Sequence, residues 1–308
     1  MFRQLAMLLL SSAIALLSVT AQAETLNIRL VLSDSSPPYQ QFSAAITQVL
    51  AASKADVTVI SSQAGNDKKA DLIIAVGMKA TESALNKLDT PVLGVMIPKL
   101  GYEALLNRLP SQPQPNTTSA IYIDQSWERQ LDFLQAAIPN LHRIGLLYSP
   151  DTPIDIDSLR YNAKVRGLFL SAQAVQSGET LFAILDTVLG ESDVLLAIPD
   201  SNIFNNSNVR NILLTSYRHK VALIGISPAY VSAGALCAIF STPEQLAEQT
   251  VETIVSFARN RRLPKPQYPG SFNIALNQQV ARSLEIALNS PEVIRERMNK
   301  NKAGEVRR

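Results

Sequence analysis

The sequence predicts an α/β protein of two Rossmann-like lobes with parallel sheets joined by a hinge. Three observations carry that expectation. The strand-like runs are almost wholly apolar rather than alternating, as strands are when helices cover both faces of a sheet. These runs alternate with helical patterns, the signature of parallel strand–helix–strand units. The alternation breaks once, at the Pro-rich stretch 109–116, and then restarts. A chain of 308 residues is also long enough that a single core tends to divide in two.

Each element follows from its own pattern. Residues 26–32 read as a buried strand, and Ser35-Ser36-Pro37-Pro38 opens an amphipathic helix across 41–52. Strands follow at 57–60 and 71–76. A helix from Thr81 to about Lys87 leads to a fourth strand at 91–97. A strand at 120–123 leaves the first unit. The second unit runs helix 125–137, strand 143–148, helix 159–167, strand 168–175, helix 179–189, strand 193–198, helix 209–217 and strands 221–226 and 235–240. A helix at 243–259, a Pro-rich link at 263–269, a strand at 272–276 and a helix from Asn277 complete it. The expected division is an N-terminal lobe at 24–122 with a return segment at about 241–262, a C-terminal lobe at 123–240 with a return at about 270–290, and a solvated basic tail at 291–308. Returns of this kind would join the lobes by three strands, which is how a hinge is made.

The amino end predicts export. Met1-Phe2-Arg3 supplies a positive charge, 5–19 an apolar run, and Ala21-Gln22-Ala23 a small-x-small cleavage site, so 1–23 read as a secretory signal peptide and the protein as periplasmic. No Cys stands near that site to take a lipid anchor. The remaining composition is globular, 46% hydrophobic and 18% charged, with mean hydropathy +0.08. A net charge of +2 gives no strong field toward nucleic acid or an anionic membrane. The single cysteine, Cys237, sits in an apolar run and reads as a small buried hydrophobe rather than a reactive thiol.

Ligands of open parallel sheets bind beyond the carboxyl ends of the strands. Those ends carry Ser33, Asp34, Ser35 and Ser36, then Met78, and, in the second unit, Tyr148, Asp200, Asn202, Ser227 and Tyr230. Each segment is small, hydroxylated or amide-bearing and precedes a helix whose first N–H groups are unpaired, a ready site for carboxylate or phosphate. Asp34 and Asp200 could instead accept an ammonium group. Singly, each residue equally suits an ordinary helix N-cap; together they would face one cleft.

Catalytic and cofactor motifs are weak. His142 and His219 each stand at the amino end of a strand, away from that cleft, and two histidines make no convincing metal site. Gly225-Ile226-Ser227-Pro228-Ala229 is a near miss for a nucleophile elbow, but Pro228 has no N–H to complete an oxyanion hole. No P-loop or Gly-x-Gly-x-x-Gly occurs, so no nucleotide cofactor is expected.

Several segments resemble one family of exported proteins. Leu141-His142-Arg143-Ile144-Gly145-Leu146-Leu147-Tyr148-Ser149-Pro150, following Ala136-Ala137-Ile138-Pro139, is similar to the start of its second lobe. Asp193-Val194-Leu195-Leu196-Ala197-Ile198-Pro199-Asp200-Ser201-Asn202 resembles one of its strand ends. Ser232-Ala233-Gly234-Ala235-Leu236, the helix at 245–262 and Leu263-Pro264 resemble its C-terminal pattern. The family is that of ABC-transporter substrate-binding proteins related to tryptophan- and tyrosine-binding components, with a type I periplasmic binding protein fold. The resemblance implies a small, amino-acid-like ligand between the lobes, no catalysis, no cofactor, and an ABC permease as partner. By position it implies Ser33–Ser36 and Met78 as first-lobe contacts and Tyr148, Asp200, Asn202 and Tyr230 as second-lobe ones. A periplasmic sensor subunit signalling to a membrane receptor is the alternative, and a periplasmic enzyme the third class.

Overall fold

A computed structural model describes residues 25–53, 57–60, 69–87, 89–152, 154–176 and 180–305. The export signal expected at 1–23 lies outside these residues. In chain order the first unit contains β1 (Leu26–Leu32), α1 (Pro37–Ala52), β2 (Val57–Ile60), β3 (Leu72–Val76), α2 (Met78–Leu85), β4 (Val92–Ile97), α3 (Lys99–Arg108) and β5 (Thr118–Tyr122). Its sheet has the order β2-β1-β3-β4-β5 and is parallel throughout. Every residue of β3 is buried, which is why its sequence is unbroken Leu-Ile-Ile-Ala-Val. Pro37 and Pro38 occupy the first turn of α1, where a missing N–H costs no helical hydrogen bond.

The second unit continues with α4 (Trp127–Ala137), β6 (Arg143–Tyr148), α5 (Ile156–Val165), β7 (Phe169–Ala174), α6 (Leu181–Gly190), β8 (Val194–Leu196), α7 (Val209–Arg218), β9 (Ala222–Gly225), α8 (Pro228–Ala233) and β10 (Cys237–Phe240). Then come α9 (Pro243–Asn260), β11 (Asn273–Leu276), α10 (Gln278–Ser283) and α11 (Pro291–Glu305). This sheet has the order β11-β10-β9-β8-β6-β7, with only β11 antiparallel to its neighbour.

Helix α9 follows β10 in the chain yet packs on the first sheet. Its Leu246, Val251, Ile254 and Phe257 share one core with Phe42, Ile46 and Leu50 of α1 and Ile74 of β3. A capping box starts it: the Thr242 hydroxyl accepts the Gln245 N–H at 3.3 Å, and Gln245 Oε1 accepts the Thr242 N–H at 3.0 Å. After α9 the chain lies along the β5 edge, where Gln267 and Tyr122 or Ala120 exchange backbone hydrogen bonds of 2.9 and 2.8 Å. It then enters the second sheet as β11. The chain therefore passes between the lobes near residues 123–126, 241–242 and 269–272.

Several elements depart from the sequence reading; α1 begins at Pro37 rather than residue 41, and α5 at Ile156 rather than residue 159. α2 begins at Met78 rather than Thr81, and α3 and the short α8, to which the sequence reading assigns no range, follow Pro98 and Ser227. The segment expected as a solvated basic tail forms α11 and docks on α4, burying Ile294 and Met298; their four-residue spacing is one helical stripe within an otherwise charged run.

Candidate functional site

Strand order reverses between β1 and β3 in one sheet and between β6 and β8 in the other. The loops at these points carry most of the candidate residues. In the first lobe, the Ser33 hydroxyl donates to the Val76 carbonyl at 2.8 Å and accepts the Ala80 N–H at 3.0 Å. Gly77 between them has φ +84, and a Cβ there would collide with the Tyr39 hydroxyl. Only glycine fits both the backbone and the space. Asp34 is exposed and accepts the Ser36 N–H at 2.8 Å; hydrogen bonds from Ser36 hold its carboxyl below the usual range. Ser35 is exposed, and Ser36 caps α1 through its backbone carbonyl. Met78 opens α2 with its side chain against Gly101 of α3.

The second-lobe loops form a separate network around Asp200. That carboxylate, 4% exposed, accepts the Ser149 N–H at 2.7 Å, the Thr152 hydroxyl at 2.6 Å and the Asn202 N–H at 3.0 Å. Asn202 also donates from Nδ2 to the Ser149 hydroxyl at 3.1 Å. Asp200 thus ties the ends of β6 and β8 together, and its acceptor capacity is largely taken up by its own lobe. The Tyr148 ring packs on the second core. The Tyr230 hydroxyl donates to the Phe204 carbonyl at 3.2 Å, and burial raises its pKa.

Two cavities span the lobes. One, of about 260 Å³, lies between Lys99 and Glu103 of α3, Asp124 and Gln125 of the first crossing, Trp127 of α4, Asp155 before α5, Pro199 after β8, and Tyr268. The other, of about 360 Å³, is mainly apolar and is bounded by Pro38, Met96, Ile123, Ile226, Ser227 and Phe240. Of the residues expected from sequence, Ser227 alone lines either cavity.

Lys99 and Pro199, which stand at strand ends in the sequence, lie here together with residues that the sequence did not single out. Met96 has φ +55 in a register shift of β4 against β5, a bulge of the kind that re-aims a side chain. Asp124 Oδ1 accepts the Lys99 N–H at 3.0 Å, capping α3 from 25 residues away; burial pushes its carboxyl up to about 6. The Lys99 ammonium stands 5.9 Å from the Tyr268 ring centre and 3.7 Å from Glu103. Tyr268 meets Tyr122 edge-on at 5.2 Å. The two histidines are exposed and take up local partners, His142 with the Asn140 carbonyl and His219 with Asp186.

The family described as ABC transporter substrate binding protein matches residues 43–297. The chain belongs to that family. Among solved structures, this substrate-binding protein is similar to the ligand-free, open form of CD0873 from Clostridium difficile, a substrate-binding protein with adhesive properties. The two share 18% identity and a TM-score of 0.66, over 87% of this chain and 97% of that one. An ABC domain from Streptococcus pneumoniae in complex with L-Trp matches at 18% identity and TM-score 0.60, over 88% and 98%. A conserved domain protein from Vibrio cholerae matches at 15% and 0.61, over 89% and 98%. No sequence among the curated proteins matches closely enough to count as a relative. The fold of this substrate-binding protein is that of the type I periplasmic binding proteins, two α/β lobes with parallel sheets. Among the described residues, no helix is long and apolar enough to cross a membrane.

Proposed function

We propose that the protein is exported to the periplasm, captures a small solute between its lobes, and presents the closed, loaded form to an ABC importer. The observation that carries this reading is the pair of cavities at the lobe boundary, each walled by both lobes. A ligand seated there gains contacts when the lobes close that it lacks when they are open, and this difference is what drives closure. The volumes, about 260 and 360 Å³, suit a molecule of amino-acid size. The L-Trp held by the pneumococcal neighbour supports that size class. The strand-end residues Ser33–Ser36, Met78, Tyr148, Asn202, Ser227 and Tyr230 are proposed to frame the cleft, with Asp200 shaping it rather than contacting solute. No catalytic step is proposed.

Thermal melts against a panel of amino acids, amines, sugars and organic acids, with native mass spectrometry of the purified protein, test this reading. A solute at a hundredfold excess over its Kd stabilises the folded state by about 2.7 kcal/mol, which is readily seen as a rise in Tm. A stabilising or co-purified solute supports capture. A protein that no small solute shifts is not a solute carrier, and a membrane receptor or protein partner would replace that reading.

A further inference from the structure

The smaller cavity has a charge and shape of its own. Beyond Lys99, its lining carries four carboxylates, Glu103, Asp124, Glu128 and Asp155, and two aromatic residues, Trp127 and Tyr268. Asp155 is committed to capping α5, accepting the Ser158 N–H at 2.9 Å. Asp124 also caps a helix, α3, but it is half-buried where Asp155 is exposed. Its described hydrogen bond is from the Lys99 backbone N–H to Oδ1, and among the described residues it forms no ion pair. Lys99 is the cation acting on it, opposed by burial and by Glu103, which make its charged form costly, and a bound cation would offset more of that cost.

The protein itself shows what this cavity accommodates. Its one lining cation, the Lys99 ammonium, sits over the Tyr268 face at 5.9 Å and beside Glu103 at 3.7 Å, the geometry in which an aromatic ring attracts a cation. One ammonium against four carboxylates leaves the lining strongly negative. An α-carboxylate on a ligand would be repelled here, whereas an amine would be drawn in.

We infer that the solute bound at this cavity is a small aromatic monoamine carrying net positive charge, its ammonium directed at Asp124 and its ring between Trp127 and Tyr268. This rests on the capture reading above and names the substrate class for it. It also separates the ligand from a zwitterionic amino acid, whose carboxylate the lining disfavours. Lys99 acts as an internal competitor for the same aromatic face.

Calorimetric titration of the full protein with tryptamine, tyramine and phenethylamine, each beside its parent amino acid and the matching arylacetate, tests the inference. The amines are expected to bind at least tenfold more tightly than the amino acids, with no binding by the arylacetates. Asp124→Asn keeps a carbonyl acceptor for the Lys99 N–H and is expected to weaken amine binding more than tenfold. Lys99→Met removes the competitor and is expected to tighten it severalfold, a gain that a merely structural role would not produce. Amino acids or arylacetates binding as well as the amines, or Asp124→Asn leaving amine affinity unchanged, would overturn it. So would silence from all three amines in a protein that some other solute stabilises. If no solute of any class binds, the capture reading itself fails.

Discussion

Gln125 Nε2 donates to the Ser241 hydroxyl across 2.9 Å, joining the first passage between the lobes to the second. The Ser241 hydroxyl in turn donates to the Ser271 carbonyl at 2.6 Å, reaching the third. Arg129 closes the set, donating from Nη1 to Gln125 Oε1 and to the Pro269 carbonyl, both at 2.6 Å. Its guanidinium also lies 5.4 Å from the centre of the Phe272 ring. One partly buried polar network therefore links all three passages.

Replacing Gln125 by Leu leaves the Ser241 hydroxyl and the Arg129 guanidinium each short of a buried partner. The expected loss is about 1–3 kcal/mol of unfolding free energy, read in urea melts. Gln125→Glu, which keeps the acceptor for Arg129, is expected to lose less. Equal losses for the two variants would mean that the network does not couple the passages.

Asp200 should behave as a structural hub. In Asp200→Asn one carboxylate oxygen becomes an amide NH₂ that faces donors, since three donors converge on that side chain. About 1.5–3 kcal/mol of stability should go with it, the range for hydrogen bonds to charged groups. Solute affinity, measured below the variant's melting temperature, should change much less than it does in Asp124→Asn. A variant of full stability that no longer binds solute would instead place Asp200 in direct contact with the ligand.

Asp124 gives the protein a pH signature. Burial raises its folded-state pKa to about 6 from an ordinary value of 3.8, with Lys99, Glu103, Tyr122, Tyr268 and Glu128 as the charged and titratable groups around it. A carboxyl raised in the fold binds its proton more tightly there than in the unfolded chain. Its stabilising effect is therefore greatest at low pH and is lost as pH rises from about 4 to about 6, by roughly 2–3 kcal/mol at 1.36 kcal/mol per unit. The difference in stability between the wild type and Asp124→Asn should fall across that window and be flat above it. Amine affinity should run the other way, rising as Asp124 ionises between pH 5 and 7, and that rise should vanish in Asp124→Asn.

Cys237 is wholly buried in β10, and burial raises its thiol pKa far above the ordinary range. The thiolate is the reactive form. A thiol reagent at pH 8 should leave the native protein unlabelled and react fully once denaturant passes the unfolding midpoint. Rapid labelling of the native protein would show that β10 opens locally or that the thiol is accessible.

The fold was largely legible because its strands announce themselves. With helices on both faces, β3 and β4 have no exposed side to mark with polar residues, and the run at 235–240 is apolar for the same reason. Helix α9 was legible from Pro243 and from its apolar Leu246, Ile254 and Phe257. Helix α3 was hidden because Gly101 and its charged residues break the periodicity, and because its cap comes from Asp124, remote in sequence. Helix α11 was hidden by its charge, since Ile294 and Met298 are buried by docking against α4 and the second core. The candidate site divides along the same line. Polar strand ends were visible residue by residue, as Ser33 and Asp200 show. What each side chain does depends on partners 43 to 51 residues away, and the cavity lining of Asp124, Trp127 and Tyr268 is assembled from segments far apart in the chain.

Capture of this kind requires the lobes to close on a small solute. Small-angle X-ray scattering of the protein with and without a solute that raises its Tm tests this most directly. The radius of gyration is expected to fall on saturation and to return when the solute is dialysed away. Saturable binding with an unchanged radius of gyration would contradict it, because the solute would then not bridge the two lobes.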